Sequence, residues 1–324
     1  MKRRIFMQDI TNLPLREALE KFINFKITMD KAEATIKYYN DRFNEFCDFL
    51  ETEKKINLTS QVYKDDINDF ILYRRRCNPN ISNHTINNYL RAIRAILYYC
   101  MDESYTEPFH IPMVSAPKVP KEGYTQLEQE KLIEKPDIKK CNFPQYRNWV
   151  IVCHLLASAN RTRTLLFIKN KDVKLNERII SLTEVKNNEG YEMPIDDVYL
   201  PILKEYMRIR GGEPDDYLFC NQYGKQLTPS GLRTVMSKYN KDHGVETTSI
   251  HRFRNTFAKN WLLEDGSEKK LQHALGHKTS AMVDEYAKLY GRELRKDFSK
   301  FTPLAKLKEV VAENKKIKMK RKMA

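Results

Sequence analysis

Glycine is scarce in this 324-residue chain, at 10 residues, and tryptophan scarcer still, at two. So few glycines, among plentiful Lys, Glu, Leu and Asn, favour helix. No apolar run approaches the roughly 18 residues that a bilayer span needs, so no membrane partner is expected. The opening "MKRRIFMQDITNLP" is basic but has neither an apolar h-region nor a small-residue cleavage site, and is not read as a signal peptide. The six cysteines (Cys47, Cys77, Cys100, Cys141, Cys153, Cys220) form no C-x-x-C pair, which leaves zinc ligation without support. They read as reduced, mostly buried thiols of a cytoplasmic protein. No internal repeat is visible, and no cluster of carboxylates offers to hold Mg²⁺.

Charged residues at 31% and apolar ones at 41% describe a soluble globular chain, long enough for two domains with real cores. The formal net charge is +14, and it is unevenly placed. Residues 1–110 hold 17 basic against 16 acidic side chains, so nearly all of the excess lies beyond them. Six basic residues crowd the terminal "KKIKMKRKM". Such an excess implies either a polyanionic partner, nucleic acid ahead of membrane, or a solubilising surface.

Residues 12–103 carry four helical patterns. Leu15, Leu19, Phe22 and Ile23 mark the first; Ile36, Tyr39, Phe43, Phe46 and Leu50 mark the second. "KDDINDFILYRRR" and "NHTINNYLRAIRAILYYC" supply the others, the last with Asn83 or Thr85 as its expected cap. The polar sides present Arg74, Arg75, Arg76, Arg91 and Arg94, a phosphate-facing set within a charge-balanced unit. Four prolines between Pro108 and Pro120 then stop the helical pattern and read as an interdomain linker. Domain boundaries are therefore expected at 1–107 (helical), 108–124 (linker), 125–300 (second domain) and 301–324 (end helix and basic tail). Within the third, "WVIVCHLLAS" is a buried helix. "RIISLTEVKNNEGYEMPI" is the clearest β signal, two runs about a turn. The end helix "TPLAKLKEVVAE" bears a narrow stripe of Leu304, Leu307, Val310 and Val311, suited to docking on another surface.

Several polar groups stand where chemistry could use them. In "SIHRFRNTF", His251 and Arg254 share a helix face at i, i+3, with Ser249 as the natural cap. The positive helix end would favour a neutral imidazole at His251, as a base or a phosphate donor needs. An exposed basic helix explains the same residues. Arg161 and Arg163 follow a very apolar helix, where an arginine must find an anion or snorkel out. Lys186 stands at the hairpin tip and His277 behind Gly276. Met282, Tyr286 and Tyr290 form one i, i+4 stripe, for which core packing is the default.

The order of these groups is more specific than any one of them. An Arg after an apolar helix, a hairpin Lys, an H-x-x-R helix, an L-G-H and a Tyr nine residues on resemble the tyrosine recombinases, the phage integrase and Xer family. "HRFRNTFA" and "LGHKTSAMVDEY" match that family's boxes closely, and Arg161 lies eleven residues before Asp172, the family spacing. Two departures fall in the Arg box. Ser158-Ala159 replaces the usual Thr-Gly, and Thr164 replaces an acidic residue.

The resemblance covers roughly residues 12–300 and implies a mainly α fold with a small β-sheet. A SAM-like four-helix core-binding domain and an α+β catalytic domain would form a C-shaped DNA clamp. It implies a site-specific recombinase acting through a 3′-phosphotyrosyl intermediate, needing no metal, ATP or other cofactor. Arg161, Arg254 and His277 would hold phosphate oxygens, His251 act as base, Lys186 as acid and Tyr286 as nucleophile. Arg163 and Arg252 join the arginines above as expected DNA contacts. The implied partners are duplex recombination sites, a homo-tetramer assembled on DNA and accessory directionality factors. The implied setting is a bacterial cytoplasm or nucleoid. Integration or excision of a mobile element or phage is the first expectation. A Xer-like dimer resolvase or a silent DNA-binding relative is the alternative.

Overall fold

The structure is a computed structural model, which describes residues 11–117, 122–182 and 190–276 together with 279, 283 and 286. It contains two compact units, Met1–Lys118 and Val119–Ala324. Among the described residues no helix is long and apolar enough to cross a membrane.

Among its described residues the first unit has four α-helices: α1 (Leu15–Thr28), α2 (Glu33–Phe49), α3 (Lys64–Cys77) and α4 (Asn83–Asp102). In α1 the apolar positions Leu15, Ala18, Leu19 and Phe22 recur every three or four residues, so one face is buried and the rest stays polar. The longest helix, α4, buries Ile86, Leu90, Ile93, Ile96, Leu97 and Cys100. Phe70 of α3 packs edge-on against Phe46 of α2 and Tyr89 of α4, at centroid distances of 5.1 and 5.8 Å. Each such ring contributes about 1.5–3 kcal/mol by leaving water.

The cap of α4 is Ser82, one residue before the expected Asn83. Its hydroxyl accepts from the Thr85 amide at 3.1 Å. Asn83 is thereby released for another task, donating to the Ser115 carbonyl at 2.7 Å. Asn87 fastens the same extended segment twice, donating to Val114 O at 2.7 Å and accepting from Val114 N at 2.9 Å. With Ile111 fully buried, the proline stretch up to residue 117 is thus part of the helical unit rather than a free tether.

The second unit is organised around α6 (Phe143–Ser158), which buries residues all round, from Tyr146 to Leu155. A helix apolar on every side belongs at the centre, and α8 (Tyr199–Arg210) and α10 (Ile250–Leu263) pack on it. Among the described residues α5 (Gln126–Leu132), α7 (Thr162–Phe167), α9 (Pro229–Asp242) and α11 (Glu268–Ala274) are also helical. Strands β1 (Val173–Lys174), β2 (Ile179–Leu182) and β3 (Tyr191–Pro194) form one antiparallel sheet in that order. Its register sets Ile180 opposite Met193 and Leu182 opposite Tyr191. Ile180, Leu182 and Met193 therefore face the core together, since alternate residues share a face. The fold is mainly helical with a small sheet.

Candidate active site

Arg161, Arg254 and Tyr286 come together within the second unit. The chain leaves α6 through Ala159, whose φ of +53° is left-handed. This turn breaks the helix, and Arg161 follows as the N-terminal flanking residue of α7 in extended backbone. Left-handed backbone costs an L-residue roughly 1–2 kcal/mol, which explains why a glycine suits this position. The methyl of Ala159 recovers part of that cost, because it is fully buried beside Ala258, Leu271, Leu275 and Val283.

Arg254, in the second turn of α10, is only 3% exposed. Its Nη1 donates to Ala159 O at 2.9 Å and its Nη2 to Leu275 O at 2.6 Å. Arg161 Nη1 donates to the next carbonyl, Gly276 O, at 3.2 Å. Two consecutive carbonyls after α11 thus hold two guanidiniums. Carbonyl acceptors fix their geometry and leave the formal charges uncancelled. Burial, and after it the like charge of Arg161, lowers the Arg254 pKa from its ordinary value. Tyr286 acts the other way, through its charge and a hydrogen bond between its side chain and that of Arg254. The Tyr286 ring is 7% exposed and sits in the small cluster around Leu271 and Leu275. It is packed as a core residue while its hydroxyl reaches the arginine.

His251 opens α10 in its first turn and is exposed. Ser249 takes the capping position but makes no side-chain cap bond. Lys186, His277 and Tyr290 lie outside the described residues, as does the end helix over 301–324.

A second layer of polar groups lies behind the arginines, and motif spacing did not point to it. The Tyr191 hydroxyl donates to Asn160 Oδ1 at 3.0 Å, and Asn160 Nδ2 donates to His154 Nε2 at 3.0 Å. With the amide so oriented, His154 carries its proton on Nδ1 and donates to the Tyr199 hydroxyl at 2.9 Å. Burial alone pulls the His154 pKa down to about 3, so the ring is neutral. The only local sign of this layer was Asn160 standing directly before Arg161 and Tyr191 directly after Gly190.

The arginines expected to meet DNA divide into two groups. Arg74 is committed internally: Nη1 lies 2.9 Å from Glu45 Oε2 and Nη2 donates to the Tyr89 hydroxyl at 2.6 Å. Arg252 is likewise a brace, paired with Glu122 at 3.3 Å and Glu128 at 3.7 Å and stacked over Tyr124. Both guanidiniums already have carboxylate partners, which sets them apart from the exposed arginines of the expected set. Arg75, Arg76, Arg91 and Arg163 are exposed. Arg91 and Arg94 line an open groove of about 600 Å³ with Asn87, Ala95, Tyr98 and Met113.

The sequence and the fold have counterparts in known proteins. Residues 125–293 match the phage integrase family. The chain is 24% identical over 307 residues to the tyrosine recombinase XerD of Staphylococcus epidermidis, covering 89% of this chain and 99% of that one. It is 27% identical over 290 residues to XerC of the same species, covering 87% and 95%. Among solved structures, the Tn1549 transposon integrase in complex with a circular intermediate DNA aligns with a TM-score of 0.70. That likeness covers 89% of this chain and 99% of the other at 19% identity, and shows the fold. The chain belongs to the phage integrase family. It is a tyrosine recombinase, an enzyme of site-specific DNA recombination.

Proposed function

We propose that Tyr286 is the nucleophile that cuts one DNA strand and holds its 3′ end, with Arg161 and Arg254 as the phosphate ligands. The observation that carries this reading is the hydrogen bond between Arg254 and Tyr286 beside a second, like-charged guanidinium. Attack of the phenolic oxygen on phosphorus forms one phosphate ester and breaks another, the bond to the 5′-oxygen. Bond energy is therefore conserved, and a 5′-hydroxyl from a second duplex reverses the step to join new strands. The barrier is the negative charge gathered on the equatorial oxygens, which two forked guanidiniums are suited to stabilise. His251 takes the phenolic proton, Lys186 protonates the departing 5′-oxygen, and His277 adds a third donor.

The biological setting we favour is integration or excision of a mobile element. Its sites would be duplex DNA bridged by four copies of the chain, with accessory factors setting direction. Arg75, Arg76, Arg91, Arg94 and Arg163 would supply phosphate contacts. A second reading, resolution of chromosome or plasmid dimers, is supported by the full-length likeness to XerD. Crossing over between two sites on one supercoiled plasmid, compared with insertion of an excised circle into a target, separates the two readings. The chemistry is tested by incubating a nicked suicide duplex carrying the recombination site with wild type and Tyr286→Phe. A covalent adduct resistant to SDS is expected from wild type only. An adduct from the variant would remove Tyr286 from the nucleophile's place.

A further inference from the structure

Tyr191 touches both structures that hold the two arginines. On one side its ring lies against the turn after α11. Gly276 there has φ +56°, and a Cβ added to it would stand 3.0 Å from Tyr191 Cε1. That close approach fixes the height of the turn whose carbonyls, Leu275 O and Gly276 O, accept from Arg254 and Arg161. On the other side the Tyr191 hydroxyl is bonded to Asn160. Asn160 sits between Ala159, whose carbonyl accepts from Arg254, and Arg161 itself. The amide is in turn anchored on α6 through His154, and His154 on α8 through Tyr199. Both arginines lie close enough to offset part of the burial-driven rise in the Tyr191 pKa.

We infer that Tyr191 is a positioning residue, bridging the Asn160 segment and the Gly276 turn so that Arg161 and Arg254 converge on one phosphate. The inference rests on the reading of those arginines as phosphate ligands. Its physical basis is that carbonyls hold a guanidinium only as accurately as they are themselves held. Arg161 has Thr164, not a carboxylate, three residues on, so backbone acceptors carry more of the task here. Tyr191 also begins β3. One rigid ring therefore links the two segments that hold the proposed phosphate ligands.

The test compares Tyr191→Phe and Tyr191→Ala in single-turnover cleavage of the nicked duplex, with duplex affinity measured in parallel. Tyr191→Phe keeps the ring on Gly276 and loses only the Asn160 bond, so cleavage should slow about tenfold. Tyr191→Ala releases the turn as well and should slow cleavage about a hundredfold, the scale of a misplacement near 1 Å. Affinity should stay within about threefold for both, since it is set mainly by phosphate contacts spread along the duplex. The decisive readout is the same duplex with a methylphosphonate at the scissile position, which removes a charge that the arginines would neutralise. Both defects should shrink there to about threefold or less. Equal defects on both substrates would mean a general structural loss and overturn the inference, and Tyr191→Phe supplies that comparison even if Tyr191→Ala fails to fold. Wild-type cleavage by both Tyr191 variants, with Tyr286→Phe inactive, would overturn this inference alone. An adduct from Tyr286→Phe would instead sink the underlying site reading.

Discussion

Arg254 Nη2 donates to the Leu275 carbonyl at 2.6 Å, and that bond ties α10 to the turn after α11. Its other terminal nitrogen holds the Ala159 carbonyl, so a single buried side chain joins three segments far apart in sequence. A lysine has one nitrogen on a flexible stem and cannot serve both carbonyls and a phosphate in one plane. Arg254→Lys should lower single-turnover cleavage by about 10²–10³, the cost of losing one preorganised donor. Melting temperature should fall too, because buried carbonyls lose partners. Cleavage within tenfold of wild type would show that the fork geometry is not used.

Gly276 is the residue on which this turn is least able to change. An alanine there would adopt left-handed backbone at a cost of roughly 1–2 kcal/mol. Its methyl would also meet the Tyr191 ring 3.0 Å away, tighter than ordinary contact. Gly276→Ala should therefore destabilise the second unit by about that energy and slow cleavage about a hundredfold by shifting both carbonyls. Urea unfolding and single-turnover cleavage measure the two effects separately. A variant that cleaves normally would show the turn to be free to move.

Arg161, Arg254 and Tyr286 were legible in the sequence because their types and spacing repeat a family pattern, and the fold brings these three together. The helices α4 and α6 were legible for another reason, since their apolar periods and lengths leave no other assignment. Tyr191, Asn160 and His154 were not, because each is ordinary locally and acquires a role only from residues distant in the chain. Ala159 shows the same limit. Its departure from glycine was visible, but the buried methyl that offsets the left-handed backbone was not. The three consecutive arginines of α3 looked alike, yet helix phase turns Arg74 alone onto Glu45 and Tyr89. Ser82 in place of Asn83 as cap is a one-residue boundary shift, the kind that local propensity cannot fix.

His154 gives the fold a pH dependence of known sign. Its folded pKa, about 3, lies below the ordinary histidine value near 6.5. Between those values the unfolded chain binds a proton that the native state refuses, so stability is full above pH 6.5 and falls as the pH drops. From pH 7 to pH 5 this one group should remove about 2 kcal/mol. His154→Gln should be less stable at pH 7, since Tyr199 and Asn160 lose their present partner, but its stability should lack that part of the slope. Urea denaturation of both proteins at pH 7, 6 and 5 reads the difference. Parallel slopes would place the proton uptake elsewhere.

The two fates of the basic residues in the first unit predict opposite behaviour on substitution. Arg91 lines the groove beside Arg94 and is exposed, whereas Arg74 spans Glu45 and Tyr89. Arg91→Ala should leave stability unchanged and lower the salt slope of duplex binding by about one, the signature of one lost phosphate contact. Arg74→Ala should keep that slope and cost about 1 kcal/mol of stability, the scale of a partly exposed pair, because Arg42 still donates to Glu45 and Tyr89. Removing residues 315–324 takes away six positive charges and should flatten the slope by more than Arg91→Ala does. Binding measured as a function of salt ranks all three proteins. If Arg74→Ala flattens the slope and Arg91→Ala does not, the groove is not where the first unit meets phosphate, and Arg74 must exchange Glu45 for DNA on binding.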